Sequence, residues 1–185
     1  KKSISKSSIY ISSIIHPYFV TLQCIIQQHE KLQSMNIPAN NPNLKSWVEV
    51  AQNSDFPIQN IPFGIFKTAQ LSPRIGSRIG EFVVDLKSLF VLGYLENLPF
   101  EASDFSANVL NPMMKKGKKA TRDLRNRISK LLDTIHKDLQ NNQHHVDQVL
   151  IPADQVEMLL PVQIGDYTDF YSSEQHAFNV GCLFR

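Results

Sequence analysis

Cysteine is scarce in this chain. Cys24 and Cys182 are the only two in 185 residues, and they stand far apart with no metal-ligand spacing. That usage excludes a disulfide scaffold and fits a reducing compartment. Charge of one sign is not in excess either: the formal net charge is +2, too small to make nucleic acid or a membrane surface the main partner. No apolar run reaches the roughly 18–20 residues of a membrane span. Acidic residues are absent before Glu30, and methionine is absent before Met35. Against these absences, 42% hydrophobic and 19% charged residues are ordinary for a protein that buries a core, so disorder along the whole length is ruled out. The length suits one globular domain, or a small domain plus part of another.

Residues 1–34 differ from the rest of the chain. Ser3, Ser5, Ser7, Ser8, Ser12 and Ser13 crowd the start beside Lys1, Lys2 and Lys6, and an apolar stretch runs from Ile9 to Ile26, broken by His16-Pro17. Basic, serine-rich and acid-free is the composition of an organelle transit peptide. The plainer reading, which we prefer, is upstream sequence read in frame, with Met35 as the true start. On either reading residues 1–34 stand outside the fold. With Lys1 at the front and Phe184-Arg185 closing the chain without a polar tail, both ends read as cut.

Two prolines and four asparagines make residues 35–44 a linker. Short strands come next. Trp47–Val50 is one candidate, and Phe63–Lys67 is another, entered through Pro62, which suits a strand's first position. Arg74–Gly80 leads into Glu81–Leu86, glycine between β-branched residues as in a tight hairpin. Short strands joined by turns predict a small barrel. Leu124, Ile128, Leu131, Leu132, Ile135 and Leu139 then fall at steps of three and four, the apolar face of one helix. Its basic side chains (Lys115 to Arg127) have no aromatic residues interleaved, so a solvated face fits better than nucleic-acid binding. His136, His144 and His145 gather around the helix end and beyond it, where histidine suits the dipole. Val156, Leu159 and Leu160 predict a short helix before Pro161.

The chemistry-bearing side chains crowd into Ile164–Arg185. Asp169 is a hard-cation ligand by type, since carboxylate oxygen suits calcium or magnesium. His176 is a general base by type, and Tyr171 and Arg185 are suited to hold a carboxylate-bearing substrate. Taken alone the segment has plainer readings. Asp-x-x-Asp is commonly a turn or cap, a single His is usually structural, and Ser172-Ser173-Glu174-Gln175 before a hydrophobic stretch resembles a capping box.

The run Asp166-Tyr167-Thr168-Asp169-Phe170-Tyr171-Ser172-Ser173, then Gln175-His176-Ala177, Asn179-Val180-Gly181 and Phe184-Arg185 resembles the signature segment of the fumarylacetoacetase family. Ser54–Asn60, Pro62-Phe63-Gly64 and Pro73-Arg74-Ile75-Gly76 resemble that family's opening domain. The resemblance runs from about Leu44 to Arg185 and is weak between Phe90 and Leu160. It implies an α+β fold: a small SH3-like β-barrel plus a helix over 45–160, then, at 161–185, the truncated start of a mixed-β catalytic domain.

The resemblance also implies a carbon–carbon hydrolase that splits fumarylacetoacetate into fumarate and acetoacetate at the end of tyrosine breakdown. By similarity His176 is the catalytic base, Asp169 the first ligand of a Ca2+ or Mg2+ ion, and Tyr171 and Arg185 substrate contacts. Asp166 and Tyr167 are structural support. No organic cofactor, nucleic acid or membrane is implied; a homodimer at full length and a cytosolic location are. The family's remaining metal ligands, a Glu-x-Glu pair and a later aspartate, fall beyond the point matching Arg185, so this polypeptide alone is expected to be inactive. Two other readings stay open: a relative acting on another diketo acid or acylpyruvate, and a non-catalytic truncated product that serves as an interaction module.

Overall fold

A computed structural model of the chain describes residues 37–166, 168 and 172–184. The transit-like segment and half of the Asp166–Ser173 motif lie outside these residues. The architecture is α+β: a five-stranded antiparallel sheet in the order β4-β3-β2-β1-β5, with helices against one face. The strands are β1 (Phe63–Lys67), β2 (Arg74–Ile79), β3 (Phe82–Asp85), β4 (Leu150–Pro152) and β5 (Glu157–Leu159). The expected strand at Phe63–Lys67 is present, as is the hairpin, which turns through Gly80 and Glu81. Gly80 has φ +50°, and a Cβ there would lie 2.9 Å from the Glu49 carbonyl oxygen, so only glycine fits without strain.

Period-two alternation gives each central strand two buried faces. Ile65, Ile75, Ile79 and Val84 join the main core under the helices, and Phe66 and Val83 are buried on the other face. Edge strands β4 and β5 have three residues each, and Pro152 at the end of β4 cannot donate to a further strand, which protects the edge. No ladder joins β4 to β5 among the described residues, so the sheet is open. One 3-10 turn, Ala153–Gln155, connects them. Its Ala153 N–H donates to the carbonyl of Glu81 at 2.9 Å.

The helices are α1 (Leu86–Val91), α2 (Ala102–Phe105), α3 (Asn111–Lys115), α4 (Gly117–Leu132), α5 (Gln143–Val149) and α6 (Glu174–Leu183). Asp85 caps α1, accepting from the N–H groups of Lys87 and Ser88 at 2.9 and 3.2 Å, and its other oxygen meets Arg74 Nη1 at 3.3 Å. The apolar face of α4 buries Leu124, Ile128, Leu131 and Leu132 as the spacing predicts. Burial of each such side chain contributes about 1.5–3 kcal/mol.

Four expectations need correction. Trp47–Val50 is not a strand; only Ser46 forms an isolated bridge, to Asp133. Trp47 is instead tied to the last turn of α4, its N–H donating to Leu132 O and its indole Nε1 to Leu131 O at 2.8 Å. The helix stops at Leu132 because Asp133 is extended (φ −73°, ψ 139°), which leaves Ile135 78% exposed while Leu139 reaches the core from a turn. His144 and His145 sit in the first turn of α5 rather than at a helix C-terminus. Glu157–Leu159 pairs with β1 as a strand, not a helix, since the open edge of β1 supplies the hydrogen bonds a short apolar run needs.

The segment expected as a linker lies against α4. Ala39 is fully buried and its N–H donates to Asn126 Oδ1 at 3.3 Å, and Arg125 donates to Asn40 Oδ1 and to the carbonyl of Gln59. The basic side chains of α4 are thus partly used inside the molecule. Lys119 pairs with Asp123, Arg127 with Asp138 and, just before the helix, Lys116 with Asp104.

Candidate functional site

The chain leaves the domain after β5. Pro161 O accepts the N–H of Leu110 at 2.7 Å, and Asn111 clamps Gln163 by two hydrogen bonds of 2.9 Å, one in each direction. Beyond that clamp burial ends: residues 164–166 are exposed and no residue of α6 is buried. Phe178, Leu183 and Phe184 are 70, 82 and 85% exposed.

His176 occupies the third position of α6. The helix begins at Ser173, whose backbone is extended (φ −119°, ψ 135°) and whose Oγ accepts the backbone N–H of His176 at 3.1 Å. The carbonyl of Ser173 accepts from Ala177 at 3.0 Å. This is the N-cap that the serine pair followed by Glu and Gln suggests, placed on the second serine. Glu174 adds a negative charge in the first turn, where the helix dipole favours it. His176 is an exposed residue.

Of the four residues the sequence nominates, His176 is the one among the described residues. Asp169, Tyr171 and Arg185 lie outside the described residues, as does Tyr167. Among the described residues no three His, Cys, Asp or Glu side chains gather closely enough to hold a metal ion. Those residues therefore do not make a divalent-cation site by themselves.

Two other features were not legible in the sequence. Tyr94 Oη and His145 Nδ1 are 2.8 Å apart across 51 positions, and Arg127 Nε donates to the Tyr94 carbonyl at 2.7 Å. Burial, and then the Asp138 carboxylate, push the Tyr94 phenol above its ordinary value, with Arg127 opposing them. This cluster ties the segment after α1 to α5. The second feature is an apolar groove of about 230 Å3 on the sheet face away from the helices, floored by Phe66, Val83 and Gly76 and rimmed by Phe56, Arg78 and Met158. Arg78 lies 4.7 Å over the Phe56 ring, but no residue of α6 lines the groove and no acid or base faces into it beside Arg78. It is a packing feature rather than a reaction centre.

Comparison with known proteins adds what the geometry cannot. A family profile described as Fumarylacetoacetase N-terminal matches residues 59–161. The fumarylacetoacetase of Dictyostelium discoideum is 41% identical over 143 residues, covering 77% of this chain and 34% of that protein. That of Caenorhabditis elegans is 43% identical over 143 residues with the same shares. The human one is 39% identical over 141 residues, covering 76% of this chain and 34% of its own length. The chain spans about a third of the length of these curated relatives.

Proposed function

The chain belongs to the fumarylacetoacetase family, and from that premise we propose that it is the front part of a fumarylacetoacetase. That enzyme hydrolyses the carbon–carbon bond of fumarylacetoacetate to fumarate and acetoacetate. The observation that carries this reading is the match over residues 59–161, supported by identities of 39–43% that continue across more than 140 residues.

In this reading residues 45–160 are the N-terminal domain, 35–44 a docked linker, 161–185 the start of the catalytic domain, and 1–34 lie outside the fold. We read the sheet as a small barrel of the SH3-like kind, open on one side. Its meander β1–β4 and the return of β5 beside β1 bring consecutive strands to the two edges.

His176 is the base. Water is a poor nucleophile at neutral pH, and the imidazole takes its proton as the oxygen attacks the carbonyl carbon. The tetrahedral intermediate then breaks its carbon–carbon bond; fumarate leaves with the new oxygen, and the acetoacetate enolate takes up a proton. Tyr171 and Arg185 hold the substrate's oxygens, Arg185 through paired donors, and fix the geometry of attack. Ca2+ or Mg2+ belongs to this reading, with Asp169 as one ligand; when bound, such an ion polarises a carbonyl and stabilises enolate charge. One carboxylate falls far short of the roughly six to eight oxygens calcium takes. The 185-residue chain alone therefore neither holds the ion tightly nor turns over substrate. The full-length enzyme is a cytosolic homodimer and needs neither nucleic acid nor membrane.

Two measurements test this. Purified 185-residue protein mixed with fumarylacetoacetate and Ca2+ or Mg2+ is expected to show no hydrolysis, and measurable turnover would sink the claim of an incomplete site. In the full-length enzyme, His176→Gln is expected to lower kcat by about a hundredfold or more, the usual contribution of a positioned base. A variant with near-native kcat would remove His176 from that role.

A further inference from the structure

We infer that the apolar groove on the helix-free face of the sheet is a docking site within the full-length protein. Its occupant is the domain that follows residue 163, received through apolar side chains of that domain. The inference rests on the reading of this chain as the front part of a longer enzyme, and concerns how the two parts are joined.

The groove is built into the strands. Gly64 and Gly76 lie opposite each other across β1 and β2, and both stand on the face that carries Phe66, so two missing side chains leave a depression there. Met158 of β5 pairs with Phe66 and walls one side, its Cε 2.8 Å from where a Cβ on Gly64 would lie. Arg78 closes over the Phe56 ring at 4.7 Å. Its Nε donates to the Gly80 carbonyl at 2.9 Å and its Nη2 meets Glu81 at 3.2 Å. That guanidinium is therefore already engaged, and Phe56, Pro62, Phe63, Phe66, Val83 and Met158 around it are apolar. Such a lining favours an apolar occupant over a charged one. At about 230 Å3 the groove is smaller than the roughly 300–1,000 Å3 of a small-molecule site, and suits a few side chains of a protein surface.

The following domain is tethered at the rim of this groove. Side chains two apart in an extended chain share a side, so Leu160 continues the line of Met158 out of the groove. The two are 69 and 59% exposed, whereas Leu159 between them packs on the core. Six residues separate Met158 from Ile164, the first residue past the Asn111–Gln163 clamp, which is at most about 20 Å of chain. A domain starting there meets the groove at an effective concentration in roughly the millimolar range, far above what a second copy free in solution reaches. The chain covers 34% of each of the three relatives compared, which leaves most of a full-length protein to supply that occupant. An apolar surface of this kind marks a place where another protein surface packs.

The test compares the 185-residue chain with the full-length protein. Met158→Cys is made in both, and labelling of the new thiol is followed by the mass of the peptide that carries it. Labelling is expected to be slower in the full-length protein by about tenfold or more, because the thiol is covered there. Equal rates in the two proteins overturn the inference. A second variant, Leu160→p-benzoylphenylalanine in the full-length protein, reports by photo-crosslinking what does the covering. The expected crosslink joins residue 160 to a residue beyond 185 of the same polypeptide. A crosslink between two polypeptides overturns the inference, since a second copy then fills the groove, and so does the lack of any crosslink beyond residue 185. Turnover of fumarylacetoacetate by the unsubstituted full-length protein keeps the two claims apart. Normal turnover with a freely labelled thiol removes the docking site alone, whereas no turnover with a protected, internally crosslinked groove removes the proposed function and leaves the docking site standing.

Discussion

Ser77 is 3% exposed, and its hydroxyl has no hydrogen-bond partner among the described residues. It sits on the core side of β2 between Ile75 and Ile79, where an unmade hydrogen bond is a standing cost. Ser77→Ala is therefore expected to leave stability unchanged or raise it by about 1 kcal/mol, read as the urea midpoint of unfolding; a loss of that size would mean the hydroxyl has a partner. Gly76, on the opposite side of the strand, allows no such freedom. A Cβ there would lie 2.7 Å from the Phe66 ring and 2.9 Å from Val83. Gly76→Ala should cost about 1–3 kcal/mol, and Phe66→Leu in the same chain should recover part of that loss. Independent, additive losses would show that the ring is not what the methyl meets. Tyr94 gives a pH signature. Its phenol is held above the ordinary value of 10.0 in the folded chain, so the folded state retains that proton longer than the unfolded one. The resulting stability is complete below pH 10.0 and disappears as pH rises through the folded value. Tyr94→Phe should abolish that alkaline loss in chemical denaturation between neutral and strongly alkaline pH; parallel profiles for the two proteins would refute it.

Among the elements, α1 depends on a single carboxylate. Asp85 is 1% exposed, caps the helix through two backbone N–H groups, accepts from Ser88 Oγ at 2.9 Å and meets Arg74 at 3.3 Å. Asp85→Ala removes a cap and takes the carboxylate from a largely buried guanidinium, leaving Arg74 its bonds to Ser72. The expected loss is about 3–5 kcal/mol, large enough that the protein should be recovered mostly unfolded. A drop below about 1 kcal/mol, the value of a cap alone, would mean that Arg74 finds water. α6 is the opposite case: nothing buried depends on it.

For the whole molecule, the boundary of the folded unit falls at the Asn111–Gln163 clamp. A chain ending after Gln163 should unfold within about 0.5 kcal/mol of the 185-residue chain, as expected when exposed residues are removed. A larger loss would show that 164–185 pack on the domain in solution. The same placement accounts for the exposed Phe178, Leu183 and Phe184: their apolar surface joins no core formed by residues 37–163. In the proposed function they belong to a second domain, which residues 161–185 only begin.

Several parts of this protein are fixed locally, and those were legible in the amino-acid order. Phe63–Lys67, the Gly80 turn, the face of Leu124 to Leu132 and the Ser173 cap each arise from the conformational demands of a few neighbouring residues. Membership of the family was equally legible, because a dense motif needs no fold to be read. Tertiary structure alone decided the rest. Trp47 became an anchor for α4 because its indole found a carbonyl 84 positions away, and Glu157–Leu159 became a strand because β1 offered an unpaired edge. The Tyr94–His145 pair and the docking of Ala39 on Asn126 likewise join residues with no local relation. Local sequence can set a turn or a cap, where both partners lie within a few bonds of each other. It cannot set a choice between two conformations of similar intrinsic energy, which is made by whichever distant donor, acceptor or apolar surface the fold brings to hand.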